Sequence, residues 1–172
     1  MKILVLNGSA RENGGTAAMV HAFAQAARQQ GHDVDVFNVA TAEIHGCRGC
    51  EYCHTQGAGR CIQRDDMDAL YPLWEAAEMI VFASPIYYGS ISGQLACAIH
   101  RTYAGGIPRA CKRTALFLCS GASDVYAGAE YIYNGFLRGY FGTQDCGVFE
   151  ATTAQAKSLQ MAQRLQRLAA SL

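Results

Sequence analysis

The sequence predicts an α/β fold: a parallel β-sheet sandwiched between helices. Three observations predict it. Short apolar runs recur along the 172 residues, and each is followed by a helix-forming segment. Such alternation joins parallel strands through crossover helices. The runs are continuously apolar, as suits strands buried on both faces. The stretches after the first, third and fourth runs are polar and bear glycine, which suits the carboxyl-end rim where such sheets bind ligands. No repeat, low-complexity segment or linker interrupts the pattern. Residues 1–172 are therefore read as a single domain, with a cysteine-rich loop at 46–64.

Taken in order, KILVLNG (2–8) is a buried strand ended by Asn-Gly. TAAMVHAFAQAARQQG (16–31) is alanine-rich with a glycine stop, hence a helix. DVDVFNV (33–39) alternates and is rich in valine, a second strand. DDMDALYPLWEAAE (65–78) opens with aspartates suited to a helix start, and Pro72 is expected to kink it or set its first turn apart. MIVFASP (79–85) is a third strand, SGQLACAIHRTY (92–103) a helix and RTALFLCSG (113–121) a fourth strand. DVYAGAEYIYNGFLRGYFG (124–142) is mostly helical and TQDCGVFEA (143–151) is a fifth strand. The final helix, 153–172, carries Leu159, Ala162, Leu165, Leu168 and Leu172 on one stripe.

Composition excludes some functions. Lysine plus arginine equals aspartate plus glutamate, 14 against 14, with no run of like charge. No field gathers nucleic acid or an anionic membrane. The apolar run at the N-terminus stops at Asn7, too soon for a secretory signal. No stretch approaches the roughly 20 apolar residues of a membrane helix. The expected location is the cytoplasm, where eight cysteines do not make a disulfide framework.

Chemistry concentrates in the rim loops. NGSARENGGT (7–16) has three glycines, two hydroxyls (Ser9, Thr16) and Arg11, and leads into a helix. Backbone N–H groups and a helix N-terminus there suit a phosphate. The loop matches neither the nucleoside-triphosphate P-loop nor the Gly-x-Gly-x-x-Gly fingerprint. SPIYYGSISGQL (84–95) offers Pro85, Ile86, Tyr87, Tyr88 and Gly89 as an edge for a planar ring. GSISG within it has Ile91 where an esterase elbow needs serine. Ser120, Gly121 and Asp124 form the third loop, with Asp124 placed to cap the next helix. No general acid or base stands out, so no catalytic residue is assigned.

On these residues the chain resembles the flavodoxin-like NAD(P)H-dependent FMN reductases and, within them, the iron–sulfur flavoproteins. The resemblance covers roughly residues 1–150. It rests on Gly8, Ser9, Arg11, Gly14 and Thr16, on Ser84, Pro85, Tyr87 and Gly89, and on the cysteine motif. It implies a doubly wound five-stranded parallel sheet of order 2-1-3-4-5, bound FMN, and a homodimer or homotetramer. It implies FMN contacts from Ser9, Arg11, Asn13, Gly15, Thr16, Pro85 to Gly89, Ser120, Gly121 and Asp124. A nicotinamide nucleotide or a ferredoxin-like donor would supply electrons to a small-molecule or protein acceptor.

Cys47, Cys50, Cys53 and Cys61 follow CxxCxxC with a seven-residue gap to the last. The resemblance implies a [4Fe–4S] cluster on these four. From spacing alone the choice between a cluster and reduced thiols stays open. Zinc is disfavoured because two knuckles with a long spacer are lacking. Cys97, Cys111, Cys119 and Cys146 are read as small buried hydrophobes on strands and helices. His54 is a weak substitute ligand. Trp74, Tyr126, Tyr131, Tyr133, Phe136, Tyr140 and Phe141 are assigned to the core or to subunit contacts. The rivals are a cluster-free reductase, an electron carrier of flavodoxin type, and a module binding another phosphorylated ligand. The neutral charge counts against a carrier that docks through acidity.

Overall fold

The computed structural model describes residues 1–172. Five parallel strands form the sheet: β1 (Lys2–Asn7), β2 (Asp33–Phe37), β3 (Met79–Tyr87), β5 (Arg113–Ser120) and β6 (Gln144–Thr152). A two-residue strand, β4 (Ser90–Ile91), folds back antiparallel on β3. The order is β2-β1-β3-β5-β6, which is 2-1-3-4-5 once β4 is set aside. The expected doubly wound sheet is therefore present.

Side-chain alternation along each strand divides the core in two. Ile3, Val5, Val81, Phe117 and Phe149 face α1 (Gly15–Gln29) and α7 (Leu159–Ala170). Leu4, Leu6, Phe82, Leu116 and Leu118 face α2 (Met67–Ala76), α3 (Gly93–Arg101) and the helical stretch after β5. That stretch comprises α4 (Ala127–Ile132), a π-turn at Tyr133–Arg138 and α5 (Gly139–Phe141). The chain steps one way from β1 to β2 and the other way from β2 to β3, so the switch point lies between β1 and β3.

Four expectations need correction. The last helix is two: α6 (Thr153–Ala156) carries a Thr152/Gln155 capping box, and Ser158 caps α7 through Met161 N–H at 3.2 Å. The buried stripe of α7 is therefore Met161, Leu165, Leu168 and Ala169, while Leu159, its first residue, is exposed. α2 runs through Pro72 as one element, with Asp65 Oδ1 accepting Met67 N–H at 3.1 Å beside its start. Cys111 is buried but lies in the turn before β5, and Cys97 and Cys146 are only half-buried. Of the aromatics, Trp74, Tyr126 and Tyr133 are core, while Tyr131, Phe136 and Tyr140 are exposed. No helix is long and apolar enough to cross a membrane.

Candidate functional site

β1, β3 and β5 are parallel neighbours, so their carboxyl ends share one rim. After β1 the chain turns tightly. Gly8 N–H donates to Ala83 C=O at 2.8 Å, Ser9 N–H to Asn7 Oδ1 at 3.1 Å, and Arg11 N–H to Ser9 Oγ at 3.3 Å. These are the side-chain-to-backbone turns that asparagine and serine favour. Asn7 Nδ2 donates to Asn38 Oδ1 at 2.8 Å, which ties the loop to the end of β2. The loop delivers the chain to α1, fifteen residues long, with no side-chain cap and no acidic residue in its first turn. Its leading N–H groups are free for an anion, and the helix dipole favours one. Ser9, Gly15 and Thr16 are buried; Arg11 and Asn13 are exposed above them.

The second loop is a hairpin. β3 continues through Pro85 and Ile86 to Tyr87, and the chain turns at Tyr88 and Gly89, with φ of 51° and 75°. Two central residues at positive φ make the tight turn that matches strand twist. Ser84 Oγ accepts Ser92 N–H at 2.8 Å and donates to Pro85 C=O at 2.7 Å, closing the hairpin base. Tyr87 is half-exposed and Tyr88 fully exposed, an aromatic wall above the rim. Ile86 buries its side chain in the core, leaving its backbone at the rim.

In the third loop Ser120 Oγ accepts Ala122 N–H at 3.2 Å. Asp124 does not cap α4: its φ is 62°, and the helix begins three residues later behind Tyr126 with no side-chain cap. A left-handed turn at Asp124 sets that start. The three loops touch. Thr153 Oγ1 donates to Ser120 C=O at 3.4 Å. A β-carbon at Gly15 would collide with Cys119 Sγ, and one at Gly128 would collide with Gly89 C=O. Beside the third loop, burial and then the Glu130 and Asp124 carboxylates push Glu150 up to about 7. Glu150 carries no local signal of this role, because a carboxylate on a strand reads as a solvated edge.

The four motif cysteines line one small cavity together with Arg48, Gln63 and Arg101. Gly49 and Glu51, at φ of 62° and 56°, bend the chain around it. Cys53 is buried, Cys61 half-buried, Cys47 and Cys50 exposed, and all are unpaired thiols. Burial pushes the Cys53 thiol up, and the nearby Cys61 adds to this. No three donor groups are placed to hold a single metal ion. Four thiols around one space are the donor set of a cubane cluster. That space is about 20 Å³, room for a water and not for a cubane. Loading would require the exposed 47–50 segment to move outward. The His54 ring packs on Tyr103 at 4.4 Å between centroids, with Nε2 3.0 Å from Tyr103 C=O.

Sequence reasoning missed the anchor of this loop. Arg101, 1 % exposed, pairs through both terminal nitrogens with the Asp65 carboxylate. Its Nη1 also donates to His45 C=O at 2.9 Å. Asp65 accepts His45 N–H at 3.1 Å as well. Burial penalises the Asp65 carboxylate, yet the Arg101 and backbone hydrogen bonds hold its pKa below the usual range. An arginine in a helix of mixed composition carries no signal of burial, so only the fold reveals it.

Comparison with known proteins agrees with this geometry. A family profile described as NADPH-dependent FMN reductase matches residues 1–145. An iron-sulfur flavoprotein of Archaeoglobus fulgidus is 32% identical over 128 residues, 74% of this chain and 56% of that protein. One of Methanocaldococcus jannaschii is 30% identical over 102 residues, 59% of this chain and 52% of that protein. The chain thus spans about half the length of the curated relatives it matches. An FMN-dependent NADH-azoreductase of Bacillus anthracis superposes with a TM-score of 0.70 at 13% identity, covering 99% of this chain and 98% of that one. An NAD(P)H:quinone oxidoreductase of Methanothermobacter marburgensis does so at 0.70 and 12%, covering 98% and 92%. These likenesses establish the fold.

Proposed function

The chain belongs to the NADPH-dependent FMN reductase family, and on that premise we propose that it is an FMN-dependent oxidoreductase whose four loop cysteines are the donor set for a [4Fe–4S] cluster that the closed loop does not admit. The observation that carries the flavin assignment is the meeting of three strand-end loops on one rim, at the uncapped start of α1. Ser9, Arg11, Asn13, Gly15 and Thr16 would hold the phosphate. Pro85, Ile86, Tyr87, Tyr88 and Gly89 would wall the ring on one side, and Ser120, Gly121 and Asp124 on the other.

FMN, when bound, supplies the hydride and electron chemistry. The protein's residues do the rest. Free N–H groups of α1 and the buried hydroxyls of Ser9 and Thr16 neutralise and orient the phosphate. The hairpin Tyr87–Ser90 would wall one side of the rim. Backbone N–H groups of the loops after β3 and β5 suit an electron-rich ring edge. The cluster assignment draws on the four thiols lining one cavity and on the relatives named iron-sulfur flavoproteins. Cys47, Cys50, Cys53 and Cys61 would be its ligands. NAD(P)H or a ferredoxin-like protein is the proposed donor, and a homo-oligomer the proposed assembly.

Anaerobic purification followed by flavin, iron and acid-labile sulfide assays tests both assignments. The expected result is one FMN per chain, bleached by NADH or NADPH, or by reduced ferredoxin; four irons per chain would show that the cysteine loop opens to take the cluster. Flavin without iron would leave a cluster-free reductase. Absence of flavin after incubation with FMN would overturn the reading.

A further inference from the structure

We propose that the chain carries a second ligand site, apart from the flavin rim, that takes a flat, uncharged aromatic molecule. The site is a cavity of about 560 Å³ bounded by the end of α3, the cysteine loop and the helical stretch after β5. That volume lies within the range of small-molecule sites. The inference goes beyond the flavin reading and does not rest on it.

Two separate segments supply aromatic rings to this one space. α3 runs on into a short helical turn, Thr102–Ala104, which carries the half-exposed Tyr103. The Tyr103 ring is fixed from two directions. It meets the His54 ring edge to face at 4.4 Å, and its hydroxyl donates to the Glu51 carboxylate at 3.2 Å. The second set of rings comes from the π-turn Tyr133–Arg138 and α5: Phe136, Tyr140 and Phe141 line the same cavity. Phe141 is anchored edge to face on Trp74 at 5.6 Å, while Phe136 and Tyr140 stay largely exposed. The buried Leu137 and half-buried Ile99 add aliphatic surface. A π-turn is rare, and such turns occur frequently at functional sites.

The lining chooses the occupant. No aspartate, glutamate, lysine or arginine is part of it, so a charged molecule would be desolvated there without a counter-charge, which is costly. Aromatic rings favour a planar partner in stacked or edge-to-face contact. Most of the polar lining is already engaged: His54 Nε2 lies 3.0 Å from Tyr103 C=O, and Thr102 Oγ1 donates to Ile99 C=O at 2.7 Å. The exposed His100 imidazole remains to meet a single polar substituent, a ring hydroxyl or carbonyl. The cavity is also separate from the flavin. Ser92, the N-cap of α3, is bonded to Ser84 at the rim, whereas the cavity begins at Ile99, near the other end of the helix. Nine helical residues rise about 13 Å, so an occupant here does not touch a flavin held by the same chain.

The probe is β-naphthol, a neutral bicyclic phenol, and the measurement is equilibrium dialysis against protein incubated with FMN. One molecule per chain is expected at saturation. The same ring bearing a charge, β-naphthalenesulfonate, should bind at least about tenfold more weakly. Phe136→Ala combined with Tyr140→Ala removes two exposed rings and should weaken β-naphthol about tenfold, while FMN content stays that of wild type. Tyr88→Ala, on the rim hairpin, should leave β-naphthol binding unchanged; a loss there would place the probe at the rim and overturn the proposal. Equal binding by wild type and the double variant, or equal binding of the sulfonate, also overturns it. So does a wild type that takes up no β-naphthol, and if the double variant then sediments at a lower mass, the cavity belongs to a second copy of the chain. Protein that retains no FMN undoes the flavin reading instead and leaves the β-naphthol comparison intact.

Discussion

Gly15 sits where α1, β5 and α6 converge, and a β-carbon there would strike Cys119 Sγ and lie 3.0 Å from Ala156 Cβ. Neither neighbour is the far end of a flexible side chain. Gly15→Ala should therefore cost about 1–3 kcal/mol by overpacking and push the start of α1 out of line. The expected outcome is a lower denaturation midpoint together with weaker FMN retention, read by urea titration and gel filtration. Glu150 gives a pH-dependent prediction. Its folded pKa of about 7 lies above the unfolded value of about 4.3, so the folded state holds the extra proton between them. Stability therefore falls as pH rises through that window and stays reduced above it. Glu150→Gln should be more stable than wild type at pH 8, by about 1 kcal/mol after screening, and nearly equal at pH 4. Urea unfolding at both pH values checks this. At this scale the sequence was legible where residue type dictates geometry. Asn7, Ser9 and the glycines of the first loop announce a tight anion turn. Arg101 and Asp65 did not announce their pairing, because 36 residues separate them and neither has a local pattern.

The hairpin between β3 and β4 shows how an element can hide. Its turn is Tyr88-Gly89, with both residues at positive φ. Sequence reading looks for Asn-Gly or Asp-Gly at such a turn, so β4 was invisible. Tyrosine at φ 51° carries a strain of about 1 kcal/mol that asparagine relieves. Tyr88→Asn should raise the melting temperature by a few degrees, as about 1 kcal/mol does in a chain of this size. It should also weaken FMN binding if the exposed ring walls the site, and calorimetry with a flavin titration reads both. The split between α6 and α7 was equally hidden. No glycine or proline marks it; Ser158 ends one helix and caps the next. The five parallel strands and α1 were legible, because long apolar runs and alanine-rich segments leave one choice of structure.

Over the whole molecule, the reversal of strand order between β1 and β3, with every strand parallel, is what gathers three separated sequence segments onto one rim. Alternation alone foretold the parallel sheet and its carboxyl-end rim, while the strand order followed from the family resemblance. Which aromatics would face solvent could not be foreseen. Tyr131 and Phe136 pack edge to face at 5.9 Å, and with Tyr140 they form an exposed apolar patch. Such patches mark association surfaces. Phe136→Glu combined with Tyr140→Glu should lower the mass seen by sedimentation if this patch joins subunits. The most direct test of the central claim, that the three-loop rim grips a phosphorylated flavin at the start of α1, is to compare FMN and riboflavin binding by fluorescence quenching. The account predicts 1:1 binding of FMN, with riboflavin at least a hundredfold weaker, since about 3 kcal/mol of anion contacts is lost. Equal affinity for the two, or no binding of either, would contradict it.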